Sequence, residues 1–121
     1  MKEELITFET AKLAKQKGFN LSSYNWYRER DKSLYGTLGN RGGVEPPVVQ
    51  SIGRYVAPTQ SLLQRWLREK YNIHVEAGVT NLMDGLYCYE ICMIGAEPVG
   101  ETVNGYEKAL EDGLYEALKL I

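Results

Sequence analysis

The feature that most narrows what this chain can fold into is the apolar stripe of residues 104–121. Tyr106, Ala109, Leu110, Gly113, Leu114, Ala117, Leu118 and Ile121 recur at helical spacing, which stacks their side chains along one face. Asn104 is positioned to cap the start. Glu107, three residues on, is its capping-box partner and brings a negative charge to the positive end of the helix dipole. The stripe spans about half the helix circumference, so a sheet or other helices must cover it. Gly113 sits in its middle, where glycine costs about 1 kcal/mol relative to alanine. That predicts a close backbone approach to a sheet or to a neighbouring helix.

A second helix is predicted over 58–71. Leu62, Leu63, Trp66 and Leu67 form its inner stripe, Trp66 as the core anchor, and Asn72 stops it in the left-handed region. Ser61, Gln64, Arg65 and Arg68 project to the opposite, solvent side. A shorter helix over 7–17 has Thr7 as N-cap, Ala11 and Ala14 facing inward, Gly18 after its end and Phe19 folding back on the last turn. Between these helices, Tyr24, Trp26, Tyr27, Leu34 and Tyr35 flank the charged run at 28–32, which predicts a hairpin with strands at 24–29 and 34–38. Glycines and prolines at 39–47 predict a surface loop, followed by a strand at 52–56. Residues 73–79 alternate with Ile73, Val75, Ala77 and Val79 on the apolar side, then Asp84-Gly85 marks a turn. Residues 86–94 are apolar on both faces and predict a central strand. Residues 95–102 read as a connection. The expected fold is α+β: one domain over 1–121, with a small, mainly antiparallel sheet of three to five strands and three helices. The two stronger helices pack on one face.

Charge is unevenly distributed. Residues 1–72 hold twelve Lys/Arg against seven Asp/Glu, and 73–121 hold two against nine, within a net charge of −2. No apolar run approaches the roughly 20 residues of a membrane helix. Residues 1–9 lack a secretory pattern, so a cytoplasmic location is expected. Cys88 and Cys92 share a strand face roughly 13 Å apart, beyond disulfide reach, and read as structural thiols.

Chemistry-bearing patterns are sparse. His74 is the only histidine, the cysteines lack zinc-type spacing, and Gly39, Gly42 and Gly43 precede neither GKS/T nor a capped helix. No metal or other cofactor and no small-molecule substrate is therefore expected. A Cys88–His74 pair and facing Glu76 and Glu90 are the remaining catalytic arrangements, each with solvated strand residues as its plainer explanation. Two surface features stand higher. Gln64, Arg65 and Arg68 on one helical face are what a nucleic-acid-reading helix displays. Nine tyrosines and two tryptophans exceed what a core of this size absorbs. Trp26 and Tyr115 are therefore candidates, with Gln64, Arg65 and Arg68, for an interaction surface.

Three blocks, ITFETAKLAKQKGF, APTQSLLQRWLREKYNIHV and YEKALEDGLYEALKLI, resemble small proteins encoded by phages and prophages of gut Bacteroides-type bacteria. The resemblance covers roughly half the chain, is most specific in its central block and weakest over 22–55. That family has no assigned biochemical activity and brings no catalytic residues. It implies a phage-related or mobile-element accessory protein inside a bacterial cell. The expectation is a non-enzymatic module binding a protein partner or a second copy of itself, with no membrane role. The alternative is a nucleic-acid-binding accessory protein using the basic face of helix 58–71.

Overall fold

Thr7 starts the first helix, α1 (Phe8–Gln16), its Oγ1 accepting the Thr10 N–H at 3.4 Å. The helix ends as its sequence dictates. Gly18 takes φ +93°, its N–H reaches Lys15 C=O, and the Phe19 N–H reaches Ala14 C=O at 2.9 Å. This is a Schellman closure, and it turns Phe19 fully inward.

The computed structural model describes residues 4–36, 50–81, 86–93 and 99–121. They form two compact units, one over 5–59 and one over 60–121 together with Glu4. The expected loop at 39–47 and the Asp84-Gly85 turn lie outside the described residues.

In the 5–59 unit, β1 (Trp26–Arg28) is the middle strand of an antiparallel sheet. It lies between β2 (Leu34–Tyr35) and β3 (Arg54–Val56). The predicted hairpin is present. Asp31 Oδ1 accepts the Ser33 N–H, and Lys32 takes the left-handed φ of +62° that closes the turn. Just after β2, Gly36 lies at φ +115°. A Cβ there would meet Tyr24 O at 2.1 Å, so no side chain fits. An isolated bridge between Leu5 and Thr59 ties the unit's two ends.

In the second unit, β4 (His74–Asn81), β5 (Leu86–Cys92) and β6 (Val99–Asn104) form a second antiparallel sheet in that order. The α+β class is as expected, but the strands divide between two sheets. β5 is central, as its two apolar faces require. Helices α2 (Gln60–Tyr71) and α3 (Tyr106–Lys119) both lie against this sheet. Asn72, at φ +55°, stops α2 as expected. Val75, Tyr89 and Ile91 are buried beneath the helices with Leu63, Leu67, Leu114 and Leu118. Gln60, itself buried, links the two helices: its Nε2 donates to Glu107 C=O and Glu111 Oε1, each at 3.0 Å.

Three expectations fail here. Residues 99–104 are a strand, not a connection, because pairing with β5 supplies the hydrogen bonds that their own apolar pattern does not advertise. Asn104 belongs to that strand, so α3 is preceded by Gly105 at φ +96° and has no side-chain cap. Val79, placed on the apolar row, is 48% exposed beside a register shift between Val79 and Asn81.

Candidate interaction surface

The alternation of three residues builds the surface. In β1, Tyr27 faces one way while Trp26 and Arg28 face the other. Tyr27 packs edge-on against Phe8 of α1 (5.7 Å between centroids, 89°), and its hydroxyl donates to Ile6 C=O at 2.7 Å. Tyr55 of β3 joins this inner side, edge-on to Phe8 at 5.4 Å. Burial, then its hydrogen bond to Glu29, raises the Tyr55 pKa. Because the inner side is satisfied by α1, the outer side is left with Trp26 and Arg28.

Strand pairing then assembles a row on that outer side. Trp26 is opposite Tyr35 of β2, and Arg28 is opposite Arg54 of β3. The Trp26 and Tyr35 rings stack, with centroids 4.6 Å apart and planes at 16°. The Arg54 guanidinium lies 4.4 Å from the Trp26 ring centre, and Arg28 lies 5.1 Å from that of Tyr35. Strand order places Tyr35 and Arg54 on opposite sides of Trp26. Trp26, Tyr35 and Arg28 are half-buried and Arg54 is exposed. Trp26 Nε1 has no hydrogen-bond acceptor among the described residues. Arg28 also grips Asp31 through two hydrogen bonds. The hydrogen bond from Arg28 is the main reason the Asp31 carboxyl is held far below the ordinary carboxylate range.

The other candidates fare differently. Gln64 is half-buried, and its Nε2 donates to Val75 C=O at the edge of β4, so it is not displayed to solvent as its projection predicts. Arg65 is engaged with Glu69 at 3.3 Å, one turn along α2. Arg68 is exposed and has no ion-pair partner among the described residues. Tyr115 is 36% exposed on the outer side of α3, with Lys119 Nζ 5.7 Å from its ring centre. Trp26 alone among the five sits in a constructed cluster. Tyr35, Arg28 and Arg54 are its members that sequence reading missed; the WYR and RYV tripeptides carry a signal, but only the register joins them.

On the outer face of the second sheet, Glu76 and Glu90 are register partners, as expected, and both are exposed. His74 is opposite Cys92, not Cys88, which rules out the His74–Cys88 pairing as neighbours. Cys92 Sγ donates to Glu90 Oε1 at 3.3 Å. This bond first, then burial and the negative charges of Glu90 and Glu76, pushes the thiol pKa up. Cys92 should therefore alkylate slowly at neutral pH, and Glu90→Gln should speed it severalfold, as read by mass mapping of the labelled peptide. An unchanged rate would mean the carboxylate does not control the thiol. Both cysteines are free. Among the described residues, no three His, Cys, Asp or Glu side chains converge in a metal-holding group, and no helix is long and apolar enough to cross a membrane.

The fold and this face define a small α+β protein with an aromatic–arginine row on one face of its first sheet. Comparison with protein-family models, with curated proteins and with solved structures returns no match.

Proposed function

We propose that the chain is a non-enzymatic accessory protein that works by binding another protein through the outer face of β2–β1–β3. The observation that supports this reading most is the Tyr35–Trp26–Arg54 row with Arg28 beside it. Trp, Tyr and Arg are the residue types that concentrate binding energy at protein interfaces. Here each of the four touches another of them, and side chains placed in advance lower the entropy cost of docking. The resemblance to phage and prophage proteins suggests a bacterial cytoplasm as the setting, and a second copy of the chain is one form such a partner takes.

The row favours protein over nucleic acid. Single-stranded nucleic acid is gripped by stacking bases on open aromatic faces. Trp26 is instead stacked between Tyr35 and Arg54, and the Tyr35 ring has Trp26 and Arg28 against it. On the helix-based alternative, Gln64 is engaged with Val75 C=O, while Arg65 stays exposed in a surface pair with Glu69.

The test combines light scattering over a concentration series with capture of partners from bacterial lysate. The unaltered chain should associate with itself or retain a defined partner. Trp26→Ala should weaken that association by at least about tenfold, a hot-spot loss of about 1.4 kcal/mol or more. Trp26→Phe, which keeps a ring in the stack and removes the unsatisfied N–H, should retain most of it. A strict monomer that captures nothing would defeat the reading.

A further inference from the structure

Arg54 is the arginine of its unit that rests on an aromatic ring without an ion-pair partner among the described residues. Arg28 is paired with Asp31, and Lys32 with Glu9 at 3.8 Å. Arg54 is exposed, and no carboxylate lies within ion-pair reach of it among the described residues. Its guanidinium is nevertheless held in place, stacked on Trp26. The backbone beneath is clamped as well. Lys15 reaches from α1 to donate to Ser51 C=O and to Arg54 C=O, the latter at 3.1 Å, while the Arg54 N–H donates to Ser51 C=O at 3.2 Å. Ile52, at the tip of this turn, is wholly exposed.

Resting on the protein-binding reading above, we infer that Arg54 is the anchor for a carboxylate on an acidic segment of the partner, with Ile52 offering an adjacent apolar contact. A guanidinium held over an indole by its Cζ keeps its planar fork of N–H donors, the geometry that takes a carboxylate in two parallel hydrogen bonds. The surroundings have the matching sign: residues 5–59 carry eight Lys/Arg against four Asp/Glu, a net +4. Charge complementarity of this kind speeds encounter and selects acidic partners. A carboxylate beside an apolar contact at Ile52 is what a protein segment supplies, so that is the occupant that fits.

The experiment is fluorescence anisotropy of the full chain with a short labelled peptide of alternating glutamate and leucine. A glutamine–leucine peptide and an oligo(dT) strand of similar length run beside it. The acidic peptide should bind, and more weakly as salt rises. The glutamine peptide should bind at least about tenfold more weakly. Arg54→Glu should abolish binding and Arg54→Gln should weaken it about as much as the glutamine peptide does. Arg54→Lys should recover only part, because a point charge replaces the fork. Far-UV circular dichroism of each variant checks that the fold is retained; if Arg54→Glu fails to fold, Arg54→Gln and Arg54→Lys decide. Equal binding of the two peptides, unchanged binding by the Arg54 variants, or tighter binding of oligo(dT) would overturn the inference. The two proposals fail separately. Partner capture lost in Trp26→Ala but untouched in Arg54→Gln leaves the binding face standing and removes the carboxylate anchor. Loss in neither variant removes the face itself.

Discussion

Replacing Gly113 with leucine should destabilise the 60–121 unit by about 3 kcal/mol, the upper part of the range for forcing extra atoms into a packed core. The reason is how closely α3 lies on its sheet. A single Cβ at Gly113 would stand 2.9 Å from Val75 Cγ1 and 3.0 and 3.1 Å from Tyr89 Cβ and Cγ. Val75 and Tyr89 are themselves buried and have nowhere to move, and leucine adds three carbons beyond that first one. Gly113→Ala is the instructive comparison. Alanine gains about 1 kcal/mol of helix propensity but must displace Val75 by a few tenths of an ångström, so its net loss should be much smaller. Chemical denaturation reads both as a lower midpoint at unchanged slope. A leucine variant as stable as the original chain would mean that the helix is not seated this closely.

Truncating Trp66 to alanine should cost about 3–5 kcal/mol, a large share of a typical domain's stability of about 5–15 kcal/mol. Trp66 is 5% exposed on the inner face of α2, edge-on to Tyr71 at 5.3 Å. Its removal leaves a cavity flanked by a stiff helix that cannot collapse to fill it. Lys70 Nζ lies 5.6 Å from the Trp66 ring centre, so a solvated cation also loses its contact. The same denaturation measurement applies, and a loss below about 1 kcal/mol would show that Trp66 is not the anchor its burial implies.

The helices were legible because each is self-contained in the residues that make it. The Thr7 cap, the Gly18–Phe19 closure and the Asn72 stop act within a turn of the helix they bound, so reading them needs no knowledge of the rest of the chain. The apolar stripes of α2 and α3 named their buried faces except at Tyr106, which is exposed at the first turn of α3, and the glycine within the α3 stripe pointed to its close approach. β6 was not legible, because Val99–Asn104 has no apolar alternation and owes its conformation to β5. The capping assignment of Asn104 failed for the same reason: a residue committed to a strand ladder is not available to start the following helix.

The candidate surface divides along the same line. Trp26 was legible as an aromatic in excess of what the core absorbs, whereas Arg28 looked like part of a charged turn and Arg54 only like part of a short strand. Their significance comes from register, in which Trp26 opposes Tyr35 and Arg28 opposes Arg54 across two strand pairs. Conversely, Gln64 projected to solvent on an isolated helix, and it was the edge of β4 that supplied Val75 C=O to receive it.

What the sequence by itself determined is the set of helices, the central place of β5 and the face that α3 must bury, since these follow from periodicities and caps acting over a few residues. Only the tertiary structure decided that the strands form two sheets, that 99–104 is one of them, and that Tyr35, Trp26 and Arg54 stand in a row. Sheet pairing joins residues distant in the chain through backbone hydrogen bonds that no side-chain pattern encodes, and a shift of one residue in register turns every side chain to the opposite face.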